Sequence, residues 1–427
     1  GCTKWVYQAD GPVRSAMPVA PLAGGKHAVM FGDQTGWFYA LEAESGKQLW
    51  KVKPESHEAT KLTGSPVVHD GIVYVPTASW EEGRPQNASY QCCTFRGSVV
   101  AYKIADGTQV WKTYMIPDPP AADGKQVDGH AELAPSGIGI WSAPTIDTKR
   151  GRLYVTTGNT YSGASPNSDA VVALELATGK ILWASQTLAN DTFNGGCFQR
   201  GGCAGPDADF GASPILVEGA GGKSLLLAGQ KSGMVYAFDA DHEGALVWKQ
   251  RVGKGGINGG VQFGMAADAV NVYAAVSDVG RVARAQKGKV DARPSGVDPN
   301  VGGGLTALRI RDGVKAWFAP PAKCDPARPM CSPAQPAAVA AMPGVVFAGN
   351  VDGYLRAYST RDGKVLWEFD TNKDWTTEGK VVNGVKTRGG SIDGAGPVIA
   401  GGMVFVSSGY ARNGAQGGNA LLAFGID

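Results

Sequence analysis

The sequence has no run of about 18 consecutive apolar residues, which leaves no candidate membrane-spanning helix. No signal-peptide pattern opens the chain, so export would mean a leader already removed. Charge is sparse and nearly balanced: 18% of the 427 residues are charged and the formal net charge is +2. With no basic stripe, a nucleic-acid partner is not indicated. Histidine is scarce, five in all, and none clusters with cysteine. No Cys-x-x-Cys occurs, so neither a zinc site nor a Cys-x-x-Cys-His haem attachment is indicated.

What the chain does have is 62 Gly, 25 Pro, 11 Trp and seven Cys. Six of the cysteines form local pairs: Cys92 with Cys93, Cys197 with Cys203, and Cys324 with Cys331. Local pairs of this kind suggest an oxidising compartment, periplasmic or secreted. Cys2 is left over, and its partner is expected in residues the chain lacks. The adjacent pair in Tyr90-Gln-Cys-Cys-Thr-Phe-Arg-Gly97 has two readings. Neighbouring Cα atoms lie about 3.8 Å apart, short of the roughly 4.4–6.8 Å of a relaxed disulfide. A bond there would strain the backbone, and such strain gathers at ligand sites. Two reduced, buried thiols are the alternative.

One pattern recurs along the chain: Ala, a bulky apolar residue, four mostly polar residues, Gly, two more residues, an apolar residue, then Trp. It reads ALEAESGKQLW (40–50), AYKIADGTQVW (101–111), ALELATGKILW (173–183), ALRIRDGVKAW (307–317) and AYSTRDGKVLW (357–367), with a longer variant AFDADHEGALVW (237–248). The polar-Gly centre predicts a hairpin turn and the alternating flanks predict strands, with the Trp on the outer strand. Further short strands fall between copies, as at Ile72–Val75, Leu153–Val155, Leu225–Leu227, Val345–Phe347 and Met403–Val406. Four-stranded repeats of this length predict an all-β propeller. A β-sandwich does not repeat a Trp at one place in successive hairpins. Length alone suggests two or three domains, but the repeat argues for a single domain over 1–427. The chain opens with the second half of the motif (Gly1 to Trp5) and closes with the first half (Ala423 to Asp427). The two halves would complete a seventh blade, or else a further blade precedes Gly1.

With the repeats and the paired cysteines in view, the chain resembles the pyrroloquinoline-quinone (PQQ) dependent alcohol dehydrogenases, specifically the polyvinyl alcohol dehydrogenase branch. The resemblance runs through essentially the whole chain, including TGSPVVHDGIVYVP (63–76), YQCCTFRGSVVAY (90–102), IWSAPTIDTKRGRLYVTTGNTY (140–161), GQKSGMVYAFD (229–239) and VDGYLRAYS (351–359). The Trp hairpins alone are shared with non-enzymatic propellers such as outer-membrane assembly lipoproteins. The family forms eight blades, and its polyvinyl alcohol branch often carries a cytochrome c domain that is absent here.

The resemblance implies site residues. The family's cofactor lies between a vicinal disulfide and a Trp face, matched by Cys92–Cys93 and by Trp141, which stands outside the hairpin Trp position. Asn159 follows Trp141 by 18 residues, the family's interval between the stacking Trp and a metal-binding Asn. Glu81 aligns with the family's metal-binding glutamate, with Glu82 as fallback; oxygen donors of this kind suit Ca²⁺. Asp209 fits the catalytic base, which also touches the metal. Asn194 competes for that place but cannot usefully accept a proton, and Asp207 and Asp191 are lesser candidates. No second acid follows two residues after Asp209, as it does in lanthanide-using relatives, so Ca²⁺ is expected. The Cys197–Cys203 segment reads as an insertion shaping the mouth of the site. Lys231 stands where relatives place a cation against the quinone oxygens, and Arg96 suits a cofactor carboxylate. The expected activity is oxidation of an alcohol, secondary or polymeric, with electrons leaving to cytochrome c or another acceptor. A non-catalytic propeller that binds proteins is the competing expectation.

Overall fold

Residues that alternate around a polar-Gly turn form antiparallel strands here, and the repeated Trp motif explains their register. The computed structural model describes residues 3–425 except 219–221, 283–284, 287–288, 291–295, 326 and 377–384. Cys2 lies outside the described residues. The Ala-led half of each motif is the third strand of a four-stranded sheet, and the Trp-bearing half is the fourth, edge strand. Across that pair Trp50 faces Ala40, Trp111 faces Ala101, Trp183 faces Ala173, Trp317 faces Ala307 and Trp367 faces Ala357. A methyl group opposite the indole leaves it room, which is why the motif begins with Ala. In each of these hairpins the register shifts by one residue next to the Ala–Trp pair, a bulge that increases the local twist.

The indole then reaches the next hairpin. Trp111 lies under the turn of the following copy, where its Nε1 donates to Leu176 O at 3.3 Å. Gly179 occupies that turn with φ of 74°, and a Cβ there would sit 2.6 Å from both Trp111 Cδ2 and Thr113 Oγ1. The same docking recurs for Trp50 on Gly107, Trp183 on Gly244, Trp248 on Gly313 and Trp317 on Gly363. Gly179→Ala should therefore cost about 2–5 kcal/mol, combining the left-handed backbone penalty with overpacking. Gly151 has φ of 63° but nothing within 4 Å of its Cβ position, so Gly151→Ala should cost only the backbone part, about 1–2 kcal/mol. Denaturant unfolding of the two variants would measure the difference; equal losses would remove the indole contact as the cause.

Among the described residues six four-stranded sheets and one three-stranded sheet follow in chain order, with five two-stranded pairs besides. The first three blades are Val19–Pro21, His27–Gly32, Phe38–Glu42, Gln48–Val52; Val67–His69, Ile72–Pro76, Ser98–Lys103, Gln109–Tyr114; and Thr145–Asp147, Arg152–Thr156, Ala170–Glu175, Ile181–Gln186. The fourth begins at Ile215–Glu218, the fifth at Ala266–Ala267 and the sixth at Val339–Met342, while the seventh is Val398–Ala400, Met403–Ser408 and Ala420–Phe424. This is the expected propeller architecture, all-β with four-stranded blades, and each short strand read between the motifs falls in the second strand of a blade. Packing divides the chain into two compact units, Gly1–Leu216 with Asp241–Ala245, and Val217–Ala240 with Leu246–Asp427. Among the described residues no helix is long and apolar enough to cross a membrane.

Within the first unit, the second and third blades press together through Tyr74, Val99, Trp111, Leu153, Val155, Val172 and Leu174. This apolar layer holds in place the irregular segments that leave the second strands and enter the first ones. Those segments bond to one another: Ile140 N–H donates to Thr77 O, Ile138 N–H to Asn159 O, Gly158 N–H to Gly139 O and Phe210 N–H to Thr157 O. Backbone groups that leave a ladder need new partners, and here they find them across blades. Trp141, Asn159 and Asp209 are thereby carried on three adjoining segments.

Candidate active site

Asn159 and Asp209 are in direct contact. The Asn159 backbone N–H donates to Asp209 Oδ1 at 2.7 Å, and both residues are buried. The Asn159 amide nitrogen donates to Thr160 O at 2.7 Å and Phe193 O at 3.0 Å. This fixes the amide orientation, and no described donor reaches its Oδ1. Trp141 is half-buried and lies one residue beyond the Ile140 bond to Thr77, four residues before the first strand of its blade. Asp209 similarly precedes the first strand of the fourth blade, at Ile215–Glu218.

Cys92 and Cys93 form a disulfide across a cis peptide bond. The pair packs with Phe95 and Tyr161, whose rings stack at 6.4 Å. Tyr161 lies two residues after Asn159 and its hydroxyl is 3.3 Å from Ser79 Oγ, so it joins the disulfide to the Asn159 segment. Burial holds the Tyr161 phenol well above its ordinary pKa, and the negative charges of Glu82, Asp209 and Glu81 add to that rise. Tyr161 thus marks where the disulfide, the acid pair and Asp209 converge. The sequence reading passed over it, although it stands two residues beyond Asn159, in the short strand Thr160–Ser162.

Glu81 opens a short 3₁₀ helix, Glu81–Gln86, and is fully buried. Its Oε1 accepts from the Tyr90 hydroxyl and the Thr94 N–H, each at 2.8 Å, and its Oε2 accepts from the Phe95 N–H at 2.7 Å. His57 Nε2 lies 3.4 Å away; its Nδ1 accepts the Ala59 N–H, so the ring proton sits on Nε2. Burial alone would raise the Glu81 carboxyl, but donation from His57, Phe95, Thr94 and Tyr90 outweighs it and holds the pKa below the ordinary value.

The remaining predicted residues fall as follows. Arg96 lies over the Tyr114 ring at 3.9 Å and donates through Nη1 to Ile116 O and Pro117 O. Asn194 caps the 3₁₀ helix Gly195–Phe198 and donates to Tyr161 O at 2.8 Å. Asp191 accepts the N–H groups of Asp207 and Ala208 at 3.1 and 2.7 Å, so it ties down the segment leading to Asp209. Asp207 itself is buried at a positive φ of 61°. Cys197 and Cys203 are bonded, and Arg200 between them donates to Asp128 at 2.7 Å and to Asn194 at 2.9 Å. Lys231 belongs to the second unit, buried in the turn between Ser224–Gly229 and Met234–Asp239.

Among the described residues no group of three His, Cys, Asp or Glu could hold a metal by itself. A cation here would have Asn159 Oδ1 and one or two carboxylates from the protein, and would need further oxygen donors. A bidentate or tridentate cofactor can supply those, so the donor set fits a hard cation bound together with an oxygen-rich ligand and not one bound alone.

Blades built on Trp hairpins, with a vicinal disulfide and a buried Asn–Asp contact on the loops between them, define a propeller of the quinoprotein type. Known proteins agree with that class. The family model described as glucose/ethanol/alcohol dehydrogenase, beta-propeller domain matches residues 61–251, and that of outer membrane protein assembly factor BamB matches residues 167–423. The polyvinylalcohol dehydrogenase of a Pseudomonas species is 44% identical over all of this chain, and that of Sphingopyxis sp. (strain 113P3) is 40% identical over all of it. The chain spans 66% of the length of each of these relatives. The crystal structure of quinohemoprotein alcohol dehydrogenase from Comamonas testosteroni shares the fold, with a TM-score of 0.62 and 20% identity over 96% of this chain and 67% of its own. The chain belongs to the PQQ-dependent alcohol dehydrogenase-like family of β-propellers, on its polyvinyl alcohol dehydrogenase-like branch.

Proposed function

We propose that the chain, acting as one catalytic domain over 1–427, oxidises an alcohol to a carbonyl compound with PQQ and Ca²⁺. The substrate we favour is a secondary alcohol, polyvinyl alcohol included, because relatives 44% and 40% identical over the whole chain are polyvinylalcohol dehydrogenases. The observation that carries the proposal is the Asn159–Asp209 contact joined through Tyr161 to the Cys92–Cys93 disulfide. A protein-binding propeller has the Trp hairpins but no use for a buried carboxylate beside a preset amide oxygen and paired sulfurs.

When bound, PQQ would accept the hydride of the alcohol carbon, and with it both electrons of the oxidation, with Ca²⁺ supplying Lewis acidity. The chain's own residues have four tasks. Cys92–Cys93 and the Trp141 face bind the planar ring. Asn159 Oδ1, Asp209 and Glu81 hold the cation; Glu82, whose charge acts on the same tyrosine, is the fallback. Asp209 accepts the hydroxyl proton, since a carboxylate can take it and the neighbouring Asn194 amide cannot. Lys231 and Arg96, assigned from the sequence resemblance, counter negative charge on the cofactor's oxygens and carboxylates. Electrons would leave to cytochrome c or another acceptor, in a periplasmic or extracellular setting consistent with the local disulfides.

The test is dye reduction by the purified chain supplied with PQQ and Ca²⁺. Secondary and polymeric alcohols should bleach the dye, a chelator should abolish the signal, and excess Ca²⁺ should restore it. Failure of PQQ to bind, measured by calorimetric titration, would leave the scaffold reading.

A further inference from the structure

The Glu81 carboxylate touches the Cys92–Cys93 segment from both sides. Ahead of the disulfide it accepts the hydroxyl of Tyr90, and behind it the N–H groups of Thr94 and Phe95. The other wall of that segment is backbone: Leu133 N–H donates to Cys92 O at 3.1 Å, Cys93 N–H to Leu133 O at 3.4 Å, and Gly137 N–H to Phe95 O at 2.7 Å. Residues 91–95 belong to no strand, so the Thr94 and Phe95 N–H groups have no ladder to join. Buried donors of this kind need an acceptor, and an ionised carboxylate is about twice as strong an acceptor as a neutral one.

We propose that Glu81 is the positioning residue of the vicinal disulfide: one buried carboxylate, steadied by His57 and Tyr90, holds the two sulfurs in place through the two N–H groups that follow them. Any donation by Glu81 to a cation is additional to this role. The geometry stands without a cofactor; its purpose, a rigid sulfur face for a planar ring, rests on the quinone reading above.

The test uses the full chain without cofactor and reads disulfide opening, not activity. Protein is exposed to tris(2-carboxyethyl)phosphine, the freed thiols are alkylated, and peptide masses give the reduction rate of Cys92–Cys93 with Cys324–Cys331 as internal reference. In Glu81→Gln the side-chain NH₂ cannot accept, leaving Thr94 or Phe95 N–H unpaired. Opening of Cys92–Cys93 should quicken by about tenfold or more, with Cys324–Cys331 unchanged. Tyr90→Phe removes a single donor and should quicken it less, which keeps the test alive if Glu81→Gln folds poorly. Rates equal to the unsubstituted protein in both variants would overturn the proposal. So would equal acceleration at both disulfides, which would make Glu81 a general stability residue. Calorimetric titration with PQQ is run on the same samples. Absence of binding to the unsubstituted protein would sink the quinone reading while leaving the carboxylate's positioning role intact.

Discussion

Asp209→Asn should lower kcat in the dye assay by about 10²–10⁴-fold, the usual contribution of a positioned general base, with PQQ affinity essentially unchanged. The amide keeps an oxygen where Asp209 Oδ1 accepts the Asn159 N–H at 2.7 Å, so the local backbone stays in place. Because the carboxylate is also assigned to the cation, the assay is run at saturating Ca²⁺, which leaves the lost proton acceptor as the difference read. Asp209→Ala is the poorer test, because it leaves that buried N–H unpaired and mixes a structural loss into the kinetics. The other acids nearby do not offer the same chemistry. Asp191 is held by the N–H groups of Asp207 and Ala208, and Asn194 is committed to its helix cap and to Tyr161 O. Near-normal turnover in Asp209→Asn would move the base to another residue and undo the assignment.

Gly97→Ala should be the most damaging single methyl group near the site. A Cβ at Gly97 would lie 2.6 Å from the Ile138 carbonyl carbon and 3.1 Å from Gly139 Cα, both backbone atoms that cannot rotate away. Gly97 N–H donates to Gly137 O, and Gly97 O accepts from Met115 N–H, so the residue is pinned on both sides. Relief requires Ile138–Gly139 to move off, carrying Trp141 away from the segment that bears the disulfide. The expected loss is about 3 kcal/mol or more, at the upper end for overpacked cores, together with loss of PQQ binding. Denaturant unfolding and PQQ titration on the same sample check it. Native-like values for both would show that the two segments are not held in register through Gly97.

The blades were legible because their signal is local. A turn glycine, alternating flanks and an edge Trp lie within eleven or so residues, and short-range sterics suffice to read them as a hairpin. The interval from Trp141 to Asn159 was legible through the family resemblance, and it is spanned by the two strands Thr145–Asp147 and Arg152–Thr156 with the turn between them. Glu81 shows where such reading stops. Its identity could be taken from the resemblance, but its partners are Thr94 and Phe95 beyond the disulfide and His57 well before it. They meet only when a strandless segment folds back over the 3₁₀ helix. Arg96 is similar: the sequence marks a guanidinium, while its stacking on Tyr114 comes from the end of the adjoining edge strand and its bonds to Ile116 and Pro117 O from the residues just beyond it. Tyr161 escaped notice because an aromatic residue in a strand is ordinarily core, and nothing local says that it bridges paired sulfurs to a buried acid.

By itself the sequence determined the all-β repeat, the Trp on the outer strand of each hairpin and the short local spacing of six cysteines, all consequences of spacing within one or two strands. The docking of each indole on the next hairpin's glycine and the bond between Cys92 and Cys93 came from the folded chain. The tertiary structure alone decided which polar groups share a space: Asn159 on Asp209, Tyr161 against Cys92–Cys93, and Glu81 beneath the disulfide segment. The physical reason is that buried donors and acceptors choose their partners after the blades have packed, among neighbours that the order of residues along the chain does not place together.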